Sequence, residues 1–129
     1  MKNTLLIVDD DEVMVLLLKK IFEKKYIVFT ARDGVEAMCY LSMGIIPDLI
    51  ITDLIMENIS GYELIKHLQT SIFYNRVPLI VVSNAYAPEI SNEFPSVEIL
   101  HKPFDPLVLK SLVDATIEKS LTTITAYNN

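Results

Sequence analysis

Five short apolar runs punctuate the chain: Leu5–Val8, Ile27–Thr30, Leu49–Thr52, Leu79–Val82 and the weaker Val97–Leu100. Apart from the second and fifth, they are continuous rather than alternating. A strand with one wet face alternates apolar and polar side chains, whereas an unbroken Val/Ile/Leu run demands cover on both faces. Parallel sheets flanked by helices provide that cover. No other feature of the sequence restricts the fold as strongly.

The stretches between the runs carry helix-start chemistry. Val13, Leu17 and Ile21 recur at helical spacing behind Asp11 and Glu12, two acids placed where a helix N-terminus favours negative charge. Met14, Val15 and Leu18 lie partly off that stripe and are expected to be core rather than an interaction patch. Asp33–Glu36 and Ser60–Glu63 read as capping boxes. Asp105-Pro106 offers an N-cap followed by proline at the first helical position, and Leu109, Leu112, Val113 and Ile117 then share one face. Five strands alternating with five helices make a doubly wound α/β domain, and right-handed crossovers leave few topologies. The expected order is the flavodoxin-like 2-1-3-4-5, with ligands beyond the carboxyl ends of strands 1 and 3. The stretch Asn84 to Ser96 contains Pro88 and Pro95, so helix 4 is expected to be short, near Pro88 to Phe94, or irregular.

The length of 129 residues fits one domain, expected over residues 1–121, with 122–129 a short tail. With 11 basic against 17 acidic side chains, the net charge of −6 counts against a nucleic-acid surface, which needs clustered Lys and Arg. Cys39 has no intramolecular disulfide partner and reads as a packed helix residue. The longest apolar run, Val13–Leu18, is too short to span a membrane, and the N-terminus lacks signal-peptide features. A cytoplasmic location is the expectation.

Chemistry gathers where the runs end. Leu-Leu-Ile-Val ends in Asp9-Asp10, Leu-Ile-Ile-Thr in Asp53, Leu-Ile-Val-Val in Ser83, and Glu-Ile-Leu-His in Lys102-Pro103. In a parallel sheet these ends share one edge, and neighbouring strands 1 and 3 bring Asp9, Asp10 and Asp53 together. Three clustered carboxylates raise one another's proton affinity. A hard divalent cation relieves the repulsion, and Mg²⁺ takes one or two carboxylates plus a phosphate. Lys102 would add a point charge for phosphoryl oxygens, Ser83 a hydroxyl donor, and Asp53 a nucleophile able to form an aspartyl-phosphate.

Taken in order, Ile-Val-Asp9-Asp10-Asp11, Ala31-Arg-Asp-Gly34-Val-Glu-Ala37, Pro47-Asp-Leu-Ile-Ile-Thr-Asp53-Leu-Ile-Met56 with Gly61, Val-Val-Ser83 and Lys102-Pro103-Phe104 resemble bacterial response-regulator receiver domains. The resemblance runs from Asn3 to Leu121. It implies that Asp53 accepts a phosphoryl group from a sensor histidine kinase or a phosphotransfer protein, in a reaction the receiver itself catalyses. By the same resemblance Asp10 ligates Mg²⁺ directly, Asp9 holds a metal-bound water, and the Ile55 carbonyl completes the protein's ligands. Ser83 is the switch hydroxyl, and Lys102 binds the phosphoryl group behind a cis Lys102-Pro103 bond. The chain is expected to act as a stand-alone receiver whose output passes through a protein partner, with homodimerisation on activation left open.

Four departures from that pattern stand out. Glu57 replaces the usual proline four residues after the acceptor, placing another acid at the pocket mouth. Asn84 replaces a very small residue after the switch hydroxyl and is expected to slow dephosphorylation. Ile99 replaces the aromatic partner of the switch. Helix 4 is shortened. Asn84 and Ile99 keep open a pseudo-receiver that binds partners without phosphorylation. Asp9-Asp10-Asp11-Glu12-Val13 also fits the Asp-x-Asp-x-Thr/Val pattern of haloacid-dehalogenase-type phosphohydrolases, with Asp9 as nucleophile. The absence of a later strand ending in paired acids counts against that reading, as does the lack of room for a cap domain. A flavin carrier is excluded because three aspartates after strand 1 would repel its phosphate.

Overall fold

The computed structural model describes residues 2–56 and 58–128, with side chains as far as Thr122. Glu57 and Asn129 lie outside the described residues. The elements run β1 (Thr4–Val8), α1 (Glu12–Phe22), β2 (Ile27–Ala31), α2 (Gly34–Ser42), β3 (Leu49–Thr52), α3 (Gly61–Thr70), β4 (Leu79–Ser83), α4 (Pro88–Glu93), β5 (Glu98–His101) and α5 (Pro106–Asn128). The five strands form one sheet in the order β2-β1-β3-β4-β5, parallel throughout.

Hydropathy and position agree. The three central strands are almost entirely buried, whereas β2 and β5, the runs that broke the continuous pattern, are the two edges. Side chains alternate across the sheet and build two cores. Leu6, Val8, Ile50 and Val81 face Leu41 of α2, Leu64 and Leu68 of α3 and Ile90 of α4. Leu5, Ile7, Ile51 and Val82 face Leu18 and Phe22 of α1 and Leu109 and Val113 of α5. Each such side chain contributes about 1.5–3 kcal/mol when fully buried.

The expected N-caps form, and in the two capping boxes the bond from the cap side chain is the half observed. Asp11 accepts from the N–H groups of Val13 and Met14, Asp33 from Glu36, Ser60 from Glu63, and Asp105 from Leu107. Each satisfies a donor that the helix leaves unpaired. Helix α4 is short, and no side chain caps it at Ala87.

Two expectations need correction. In α1 the buried residues are Leu18 and Phe22, with Met14 and Ile21 packed beside them, while Val13 is 75% and Leu17 43% exposed. The helix is apolar over so wide an arc that two stripes have helical spacing, and the one carrying Phe22 meets the sheet. Cys39 is exposed on α2 rather than packed. Separately, the backbone of residues 122–128 is helical and continues α5. No helix of the described residues is long and apolar enough to cross a membrane.

Candidate functional site

The register levels the strand ends that matter. Val8 pairs with both Ala31 and Thr52, so Asp9 and Asp53 leave neighbouring strands at the same height. Their backbones continue the ladder: Asp9 N–H donates to the Ala31 carbonyl and Asp53 N–H to that of Val8, each at 3.0 Å. Ser83 pairs with His101, and Lys102 N–H donates to the Ser83 carbonyl at 3.0 Å. The sheet edge therefore gathers all five polar residues singled out at the strand ends.

Ligand oxygens of Asp9, Asp10 and Asp53 lie within 4.8 Å of one another. Asp9 is buried, Asp53 half-buried and Asp10 exposed at the rim. The Lys102 amine sits between the two inner acids, 3.0 Å from Asp9 Oδ2 and 3.4 Å from Asp53 Oδ2. Both remaining inner oxygens accept backbone donors: Asp9 Oδ1 from Asp11 N–H at 2.9 Å, and Asp53 Oδ1 from Leu54 N–H at 2.7 Å.

Burial pushes the Asp9 carboxyl above its ordinary value, and Asp53's charge adds to this. The Asp11 N–H and the Lys102 amine pull the other way without cancelling it. Burial alone would lower Lys102, but its hydrogen bond to Asp9 and the charges of Asp9 and Asp53 outweigh that and hold the amine above its usual value. One lysine thus serves two acids and leaves the cluster short of positive charge. The donors are all hard carboxylate oxygens, a set that fits Mg²⁺ rather than a thiolate- or imidazole-seeking metal.

Ser83 is buried, and its Oγ accepts from Ala85 N–H at 3.2 Å, a bond that leaves the hydroxyl hydrogen for another acceptor. Lys102-Pro103 is cis, as the resemblance implied. His101 and His67 are exposed. Asn84 is exposed beside Ser83, and Ile99 packs into the core on the α2–α3–α4 side of the sheet. The Ile55 side chain is exposed; its carbonyl follows Asp53 on the loop leaving β3.

The sequence model for the response regulator receiver domain matches residues 5–114. This chain belongs to that family. The receiver is 33% identical to the two-component response regulator ORR6 of Oryza sativa subsp. japonica over 67% of its own length, and covers 52% of that protein. It is 30% identical to the response regulator GtcR of Aneurinibacillus migulanus over 93% of its length, covering 50% of that protein. It therefore spans about half the length of these curated relatives. Among solved structures, the receiver domain of a histidine kinase from Syntrophus aciditrophicus superposes with a TM-score of 0.82 at 29% identity, 91% of each chain being covered. The chemotaxis response regulator CheY4 of Vibrio cholerae gives 0.79 at 26% identity, covering 90% of this receiver and 99% of that chain.

Beside the pocket, Gly61 belonged to the motif set of the resemblance, Asp33 was read only as a cap, and Asn58 was not singled out. Gly61 lies so close to the acceptor strand that an added Cβ would sit 2.1 Å from the Asp53 carbonyl oxygen and 2.5 Å from Leu54 Cα. Asn58 takes a left-handed backbone with φ of 63°, and its amide donates to Asp33 Oδ2 at 2.9 Å. The readable signal was asparagine itself, one of the few residues that tolerates this conformation.

Proposed function

We propose that this receiver takes a phosphoryl group onto Asp53 from the phosphohistidine of a sensor kinase or phosphotransfer protein, with Mg²⁺ as cofactor, and signals to a protein partner by a conformational shift. The observation that carries this reading is the convergence of three carboxylates within 4.8 Å of one another, two of them paired with one partly buried lysine. An Asp53 carboxylate oxygen attacks phosphorus, the P–N bond breaks, and an acyl-phosphate P–O bond forms as imidazole departs. Bound Mg²⁺, held by Asp10, Asp53 and the Ile55 carbonyl with Asp9 on a coordinated water, would neutralise charge on the transferring group. The chain's own residues do the rest. Lys102 offers its ammonium to a phosphoryl oxygen, and Ser83 donates its hydroxyl hydrogen to another. These moves are the switch, because phosphorylation adds charge and acceptor oxygens that draw both groups inward. Asn84 beside the switch hydroxyl obstructs the approach of water and lengthens the phosphoryl lifetime.

Accessibility favours Asp53 over Asp9 as nucleophile. Asp9 is 3% exposed, whereas Asp53 is less buried and its contact to Lys102 is longer. Mg²⁺-dependent labelling by acetyl phosphate, read as a mobility shift in a phosphate-affinity gel, tests the proposal. The wild type is expected to shift only with Mg²⁺ and Asp53→Asn not at all. An unshifted wild type, or a shift that survives Asp53→Asn and vanishes with Asp9→Asn, would overturn it.

A further inference from the structure

The loop from Leu54 to Ser60 follows the acceptor directly. Its first residue supplies the N–H that holds Asp53 Oδ1, and its second carries the carbonyl assigned above to the metal. In sequence the loop has Glu57 where receivers usually have proline. The residue after it, Asn58, is tied to the start of α2.

Asn58 is the one non-glycine residue with positive φ among the described residues. Its amide donates to Asp33 Oδ2, while the other Asp33 oxygen accepts Glu36 N–H at 2.9 Å and caps α2. One carboxylate therefore ties the loop to a helix start. Next to it, Ile59 is pressed onto Gly34, where an added Cβ would lie 2.7 Å from Ile59 Cβ. At the loop's far end Gly61 N–H donates to the Leu54 carbonyl at 2.9 Å. Among the described residues, Leu54, Asn58 and Gly61 are thus each held by a hydrogen bond, and of these three bonds the one from Asn58 reaches outside the β3–α3 connection.

We propose that Asn58 is a positioning residue for the metal: through Asp33 it clasps the β3–α3 loop to α2 and sets the Ile55 carbonyl for Mg²⁺. This rests on the function proposed above. The two oxygens of Asp33 accept different partners, so the pair can be reversed. With Asp33→Asn and Asn58→Asp together, the residue at 33 still accepts Glu36 N–H and now donates to the one at 58, with net charge unchanged. Aspartate also tolerates the left-handed backbone.

The test is calorimetric titration of MgCl2 into the phosphate-free full chain, alongside thermal melts without metal. Asn58→Gly keeps the left-handed backbone available but removes the amide. It is expected to weaken Mg²⁺ binding by roughly tenfold, the lower end of what outer partners of a metal site typically contribute, while the metal-free melting temperature falls only slightly. The reversed double variant is expected to bind within about twofold of wild type, since it rebuilds the same bond. A purely structural role would move melting temperatures and leave the affinity alone. Wild-type affinity in Asn58→Gly, or no recovery in the double variant, overturns the clasp. A wild type that binds no Mg²⁺ overturns the functional reading and the clasp with it.

Discussion

Asp9 shows how a single residue can weaken a fold and serve its chemistry. Burial is the largest effect on its carboxyl and raises its proton affinity in the folded state. A group raised on folding adds stability below its unfolded value, near 3.8, and loses that contribution as pH rises through the folded value. At neutral pH the burial cost of charged Asp9 is set against the ion pair by which it holds Lys102 above its usual value. Asp9→Asn should gain melting temperature relative to wild type as pH rises from about 4 to 7 without Mg²⁺. Melts across that range check it; a difference that shrinks or stays flat as pH rises would refute the sign. Gly61 is the opposite case. Its missing side chain lets α3 begin against the backbone of the acceptor itself, a contact that any Cβ would push apart.

At the scale of elements, α1 and α4 depart most from simple expectation. α1 turns Leu18 and Phe22 to the core and leaves Val13, Leu16 and Leu17 to solvent. Leu18→Ala should then cost about 2–5 kcal/mol, whereas Leu17→Ala should change stability by less than about 1 kcal/mol. Urea midpoints of the two variants decide between the faces, and equal losses would restore the stripe of Val13, Leu17 and Ile21. α4 has six residues and no side-chain cap, so its place is held by packing. Ile90 is buried beneath it. Tyr62 of α3 donates its hydroxyl to Glu93 at 2.6 Å, and its ring lies 6.1 Å from that of Phe94. Ile99 occupies the β5 position where receivers carry an aromatic switch, and the ring packed beside Phe94 at the end of α4 is that of Tyr62 from α3. Pro88 and Pro95 made the shortness of α4 legible; its Tyr62–Glu93 anchor was not, because the partners are 31 residues apart in sequence.

At the scale of the molecule, the fold concentrates three acids at one edge of a sheet whose interior is apolar. A ligand that binds only the folded state stabilises it by mass action, by about 2.7 kcal/mol at one hundred times its dissociation constant. Mg²⁺ should therefore raise the melting temperature at pH 7, and chelation should reverse the rise. Because Asp9 holds its proton more tightly than an ordinary aspartate, the Mg²⁺-dependent rise should fade on acidification before the normal aspartate range is reached. Paired melts with and without Mg²⁺ from pH 7 to 4 measure this, and a pH-independent rise would contradict it.

The sequence by itself determined the class, the strand order and which polar residues share the sheet edge. Unbroken apolar runs require two covered faces, the broken runs mark the edges, and in a parallel sheet every strand end falls on one rim. Asp9, Asp10, Asp53, Ser83 and Lys102 were legible because each closes a run. Tertiary structure alone decided which arc of α1 is buried, that Cys39 faces solvent, and that Asp33 clasps Asn58 beside the acceptor. Those outcomes depend on which surfaces meet in space. Helical periodicity narrows the choice to an arc but does not select the stripe, and a hydrogen bond across 25 residues leaves no local pattern to read.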